Sequence, residues 1–200
     1  MKVLVACEFS GVVREAFRVL GHMAVSCDLL PSDIPGPHYQ GDIRDLRNDR
    51  FDLMIAHPPC TYLAVSGLHW NKRIPDRQKQ TDEALDFVRM LLDFPIPHIA
   101  LENPIGCISS AIKKPDQIIQ PWQFGHDASK ATCLWLKNLP LLVPTNVLPG
   151  GRAARRANQT PSGQNKLGPS PDRWKLRSVT YEGIAKAMAE QWGIYDRGSI

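Results

Sequence analysis

Strands alternating with helices around a mostly parallel sheet, an α/β fold, is what this sequence predicts. Three observations carry the expectation. Short apolar, β-rich runs recur along the chain, separated by stretches with helical spacing. The first run, KVLVAC at residues 2–7, passes through Gly11 directly into GVVREAFRVL, a strand turning into a helix. Four runs end at residues able to do chemistry: Phe9-Ser10-Gly11, Asp28, Pro59-Cys60 and Glu102-Asn103. In open parallel sheets, ligands bind at the carboxyl ends of strands, so these four ends are expected to converge.

Taken in order, residues 2–7 predict the first strand. Val12, Ala16, Val19 and Leu20 recur at helical spacing and predict the buried face of a helix that Gly21 stops. Residues 23–27 predict a second strand ending at Asp28. Residues 29–40 are rich in proline and turn formers. Gly41-Asp42-Ile43 then begins a short segment that holds a third strand. Residues 51–56 (FDLMIA) form a continuous apolar strand that stops at His57-Pro58-Pro59-Cys60. Residues 76–92 have a helical pattern through Ala84, Leu85, Val88 and Leu91. HIAL at 98–101 is a fifth strand, ending at Glu102-Asn103-Pro104, and CLWL at 133–136 is a later one. Residues 144–177, rich in Pro, Gly, Asn and Arg, predict irregular structure. Thr180 is placed to cap a last helix with Ile184, Ala187, Met188 and Trp192 on one face and Gly193 after it.

With 200 residues the chain is expected to form a single domain, 1–200, with one sizeable core. No run approaches the roughly 18 apolar residues of a membrane span. The N-terminus reads as a strand rather than a signal peptide, which points to a cytoplasmic protein. The five cysteines (Cys7, Cys27, Cys60, Cys107, Cys133) are scattered, and no pair has the C-x-x-C spacing of a metal or redox site, so no metal is expected. The net charge is +4 and partly local. Seven basic residues (Arg152, Arg155, Arg156, Lys166, Arg173, Lys175, Arg177) stand against one acid, Asp172. A solvated basic loop and a phosphate-contacting surface both fit that stretch.

Each candidate residue has a plain reading beside a chemical one. Gly11 allows a ligand to approach the backbone, and the helix after it offers free N–H groups. There is no G-x-G-x-x-G, so a dinucleotide is not favoured. Asp28 suits ribose hydroxyls or is a surface cap. Two prolines fix the backbone ahead of Cys60, which suits a nucleophile; an inert thiol is the alternative. Glu102, half-buried, is expected to have a raised pKa and to hold a proton for a ring nitrogen; a capping or salt-bridged role is the alternative. His57 reads as structural. Tyr62 or Trp70, in the loop 61–80, could stack on a base or simply pack.

The order FSG, Asp28, GD, PPC, ENP resembles the C5-cytosine methyltransferase family, over roughly residues 1–106. RSVTYEGIAKAMAEQW at 177–192 is similar to that family's last motif. The resemblance implies a Rossmann-like, doubly wound sheet of the class I S-adenosylmethionine-dependent type, with S-adenosylmethionine as cofactor. It implies that Phe9, Ser10 and Gly11 line the cofactor pocket, that Asp28 binds the ribose, and that Asp42 and Ile43 meet the adenine. Cys60 would be the nucleophile, with Pro59 shaping its loop. Glu102 would grip N3 and the exocyclic amine of cytosine, and Asn103 would support the loop. The chemistry needs these residue types. Thiolate addition at C6 makes C5 nucleophilic, and a hydrogen bond at N3 stabilises the charge that develops.

The sequence departs from the family at Thr61, where glutamine follows the cysteine, and at Pro104, where valine follows Glu-Asn. The Gln-x-Arg-x-Arg motif is missing, with Lys130 its nearest substitute. Residues 144–177 stand where DNA-methylating members carry a target-recognition domain, and are too short for one. Two substrates follow. One is a free cytosine nucleotide such as dCMP, its phosphate held by Arg152, Arg155, Arg156, Arg173, Lys175 or Arg177. The other is DNA, read loosely by the basic segment, with a second subunit of a homodimer to help. The sequence leans to the nucleotide. Rival classes are a folate-dependent enzyme of the thymidylate synthase kind, which places Pro-Cys-His at its nucleophile, and a non-catalytic nucleic-acid-binding fold. An amino-methyltransferase is a more distant rival, because Cys60 stands where its aromatic residue would be.

Overall fold

The computed structural model describes residues 1–194. Seven strands form one sheet in the order β3-β2-β1-β4-β5-β7-β6. They are β1 (Lys2–Ala6), β2 (Met23–Asp28), β3 (His38–Gln40), β4 (Leu53–Ala56), β5 (His98–Pro104), β6 (Gln117–Ile119) and β7 (Thr132–Lys137). The first five pair in parallel, while β7 runs antiparallel to both β5 and β6. The helices are α1 (Val12–Val19), α2 (Val65–Leu68), α3 (Arg77–Leu92), α4 (Ile108–Ala111), α5 (Arg173–Ser178) and α6 (Glu182–Trp192). The chain winds from β1 out to β3, then crosses to β4 on the other side of β1. This is the doubly wound, Rossmann-like arrangement.

Why the central strands are apolar throughout follows from that topology. A parallel strand with helices on both faces buries both of its side-chain rows. Val3, Val5, Leu53 and Ile55 point into a core shared with α1 and α6. Leu4, Ala6, Met54 and Ala56 point the other way, into a core shared with α3. Trp192 closes the first core and Trp135 sits in the second, both fully buried.

Several expectations are corrected. The third strand lies at His38–Gln40, inside the stretch expected to be irregular, and Ile43 instead starts a 3₁₀ turn capped by Asp42. On α1 the buried residues are Val13, Arg14 and Phe17, while Val19 is 83% exposed. Val12 and Ala16 only edge the core. The last helix is not capped by Thr180. Its first turn is satisfied across the chain by His126, whose Nε2 accepts the Gly183 N–H at 2.8 Å. The stretch 144–177 holds a 3₁₀ turn (Gly151–Ala153) and all but the last residue of α5, and none of its residues joins either apolar core. Among the described residues no helix is long and apolar enough to cross a membrane.

Candidate active site

Because the chain reverses direction between β1 and β4, the loops leaving these two strands diverge and open a crevice at the carboxyl edge. A cleft lies there. Its wall is made by residues 7–10 after β1, 57–60 after β4, the end of β5 at 102–104, Lys130, and residues 177–180. Lys130 reaches the same edge because β7 is antiparallel: its beginning lies where β5 ends, with Thr132 opposite Pro104.

The turn after β1 is built by polar groups that the sequence pattern did not reveal. Cys7 takes a left-handed backbone (φ 57°) and sends the Glu8 side chain under the start of α1. There Glu8 accepts the Val13 N–H at 2.6 Å and the Arg14 N–H at 3.2 Å. These are donors a helix start leaves unpaired. Burial pushes the Glu8 carboxyl up, against His57 and the two N–H groups, which pull it down. Gly11 has φ 74°, and a Cβ there would lie 2.6 Å from Ile34 Cγ1. The close approach at Gly11 is therefore made by the chain's own 32–35 loop, and Gly11 lies outside the cleft wall. That loop is held by Arg14, a fully buried guanidinium. It donates to Ser26 Oγ, Ser32 Oγ, the Ile34 and Pro35 carbonyls and Glu15.

On the β4 side, Pro58 and Pro59 stiffen the turn and leave Cys60 exposed at the cleft. The Cys60 carbonyl accepts the N–H groups of Leu63 and Ala64, which closes the turn behind it. Removal from water, then the Glu102 charge, push the Cys60 thiol above its ordinary value; Lys130 and Arg177 pull it down. Cys7 is driven far higher, by burial and then by Asp28, and is inert at neutral pH. Of the two cleft thiols, only Cys60 has cations to favour its thiolate.

Glu102 behaves differently from expectation. Its side chain is 12% exposed, and burial is the largest single influence on it, raising its pKa. Yet the carboxyl ends up below its ordinary value. The His57 ring, 2.9 Å from Oε2, together with Lys130 and Thr132, outweighs the burial. The group is an ionised carboxylate, not a resident acid. His57, passed over as structural, is thus a member of the site, and its place directly before Pro58 is the signal that marks it. Asn103, buried next to Glu102, donates from Nδ2 to the Pro58 carbonyl at 2.7 Å.

The remaining candidates divide. Phe9, Ser10, Pro59, Asn103, Lys130 and Arg177 line the cleft with Cys60 and Glu102. Lys130 donates to the Arg177 carbonyl at 2.9 Å and so holds the 177–180 segment against the site. Asp28 is half-buried at the end of β2, with Oδ1 accepting the Leu30 N–H, and is not in the cleft wall. Both oxygens of Asp42 are engaged by Arg44, and Ile43 is interior. Arg152, Arg155, Arg156 and Arg173 lie outside the cleft wall. Arg156 is buried on the Gly151 carbonyl, with its guanidinium over the Trp122 ring, which commits it to structure. Lys175 is paired with Asp33 and covers Phe9. Tyr62 packs under Arg77 and Trp70 under Arg73; neither lines the cleft. Among the described residues no cluster of His, Cys, Asp and Glu is arranged to hold a metal.

No family model and no curated protein matches the sequence. Among solved structures the chain is similar to a prophage-encoded E. coli protein provisionally described as a DNA modification methyltransferase, at 13% identity and a TM-score of 0.48. The match covers 76% of this chain and 53% of that one, so the chain spans about half its length.

Proposed function

We propose that the protein is an S-adenosylmethionine-dependent methyltransferase acting on C5 of cytosine, through a covalent adduct of Cys60 at C6, with a free cytosine nucleotide such as dCMP as substrate. One observation carries the reading: the exposed Cys60 thiol and the ionised Glu102 carboxylate share a single cleft at the switch point of a doubly wound sheet. A nucleophile and a group shaped for an amine-bearing ring edge are what attack on cytosine requires.

The residues present suit the cofactor in part. Asp28 has a carboxylate oxygen beyond the one taken by Leu30, at the strand end where ribose hydroxyls are bound. Phe9 and Ser10 border the cleft beside it. Asp42, engaged by Arg44, and the interior Ile43 offer the adenine only backbone. When bound, S-adenosylmethionine supplies an electrophilic methyl group for C5. The chain's own groups do the rest. Lys130 and Arg177 favour the Cys60 thiolate. Its sulfur bonds to C6, and the C5–C6 electron pair moves toward N3, leaving C5 nucleophilic. Glu102 accepts from the exocyclic amine and fixes the ring edge. After methylation, loss of the C5 proton and expulsion of Sγ restore the ring.

The nucleotide is favoured over DNA by the segment 144–177. It adds no core of its own with which to read a duplex, and extruding a base carries an unstacking cost of a few kcal/mol. Arg177 is its one arginine in the cleft wall and is suited to a phosphate. The test is methyl transfer from labelled cofactor to dCMP, dCTP, single-stranded DNA and duplex DNA, with Cys60→Ala beside the wild type. Label on the nucleotide, lost in the variant, is expected. Label on DNA alone would move the substrate to DNA, and no label on any cytosine would sink the reading.

A further inference from the structure

We propose that His57 is a positioning residue of this site: its ring orients Glu102, and through Glu102 it supplies the proton that cytosine N3 gains when Cys60 adds to C6. The inference rests on the reading above and deepens it.

The geometry is specific. His57 Nδ1 lies 2.9 Å from Glu102 Oε2, with the two side chains 8% and 12% exposed. The backbone that carries the ring is fixed. The His57 N–H is bonded to the Ala6 carbonyl at 2.9 Å, and Pro58 restricts the backbone before it. The other ring nitrogen, Nε2, is buried without a hydrogen-bond partner among the described residues. Charged and titratable groups face the pair from every side. Glu8 comes from the β1–α1 turn and attracts a protonated ring, Cys60 from the same loop, and Lys130 from the start of β7, where it favours an ionised Glu102.

The chemistry then sets a requirement. Cytosine offers an amine donor next to the N3 acceptor. An ionised carboxylate can accept from the amine but has nothing to give N3, and it repels the N3 lone pair. As the Sγ–C6 bond forms, an electron pair arrives at N3 and a proton must follow. A ring protonated at Nδ1 beside ionised Oε2 holds that proton. It passes from Nδ1 to Oε2, making Glu102 a carboxylic acid, which then gives that one proton to N3; Glu102 is ionised again and His57 is neutral. When Sγ departs, N3 returns the proton by the same route, so the pair is regenerated each turnover.

Two measurements test this. The first needs neither substrate nor cofactor: a carbon-13 titration of the Glu102 carboxyl in wild type, His57→Asn and His57→Ala. Loss of the ring is expected to raise the Glu102 titration, with Asn intermediate because it keeps a donor but no charge. The same spectra show whether each variant is folded. An unmoved Glu102 in folded variants overturns the proposal. The second is steady-state methyl transfer by His57→Asn. The expectation is a kcat about 100-fold lower and a nearly unchanged KM for the nucleotide. If His57→Asn keeps the wild-type rate while Cys60→Ala is dead, the proposal fails and the cytosine reading stands. If wild type methylates no cytosine, both fail.

Discussion

Asn103 donates from Nδ2 to the Pro58 carbonyl at 2.7 Å, which ties the end of β5 to the loop that carries Cys60. The two proposed reacting residues, Cys60 and Glu102, each lie within two positions of this bond. Asn103 is 1% exposed, so water cannot replace it. Asn103→Leu is expected to lower unfolding stability by about 1–3 kcal/mol, the penalty for stranding a buried carbonyl. Denaturant unfolding reads that number. Methyl transfer by the same protein should fall further than stability alone explains, because the Cys60 turn loses its anchor.

Cys60 should react slowly with iodoacetamide at neutral pH, because its thiol is pushed above the ordinary value by desolvation and by Glu102. The rate should rise with pH and reach half its plateau above the midpoint of a free thiol. Removing the negative neighbour should reverse part of the shift: Glu102→Gln speeds alkylation at pH 7, and Lys130→Met slows it. Each change is expected to be on the order of 3- to 10-fold, since the thiolate fraction follows the pKa tenfold per unit. Peptide mass spectrometry separates Cys60 from the half-buried Cys7 and Cys107. Equal rates in all three proteins would mean that Glu102 and Lys130 do not set the Cys60 thiol.

Arg14 makes five hydrogen bonds from full burial and joins α1, β2 and the 32–35 loop. Arg14→Leu strands the Ile34 and Pro35 carbonyls and should destabilise by on the order of 3 kcal/mol. Arg14→Lys should recover little, because an ammonium cannot span the forked set of acceptors. Thermal unfolding tests both. If the cofactor reading is right, cofactor affinity should drop in Arg14→Lys as well, since the loop covers the β1–α1 turn.

The sheet was legible because its central strands are buried on both faces and leave continuous apolar runs. The three-residue strands β3 and β6 lie at the two edges and leave none. That is why His38–Gln40 was lost among prolines. The α1 face was misjudged by one position, because Arg14 occupies an interior place that an apolar pattern assigns outward. Cys60 and Glu102 stood out locally, each at the end of an apolar run. The protonation state of Glu102 could not be read locally, for it depends on His57, 45 positions earlier, and on Lys130, brought in by the antiparallel β7. The arginines of residues 152–177 looked equivalent in sequence. Only their packing distinguishes the buried Arg156 from Arg177 at the cleft.

Gly106 sits where the loop after Cys60 meets the loop after β5. The Val65 N–H donates to the Ile105 carbonyl at 3.0 Å, and the Cys107 N–H to the Leu63 carbonyl at 2.9 Å. Between these bonds Gly106 faces Ala64 in a short antiparallel bridge. A Cβ on Gly106 would collide with the Leu63 carbonyl, and would lie 3.0 Å from Ala64 Cα. Both obstacles are backbone, so no rotamer change relieves them. Gly106→Ala should therefore open the bridge and cost about 1–3 kcal/mol, the usual range for overpacking. The loop that follows Cys60 contains Lys72 and Arg73, and Arg77 opens the helix after it. Once released, it should be cut by trypsin faster than in wild type, with methyl transfer falling in parallel. Gly168→Ala, where a Cβ meets nothing within 4 Å, serves as the control. Equal cleavage rates in the two variants would mean that the bridge does not hold the Cys60 loop in place.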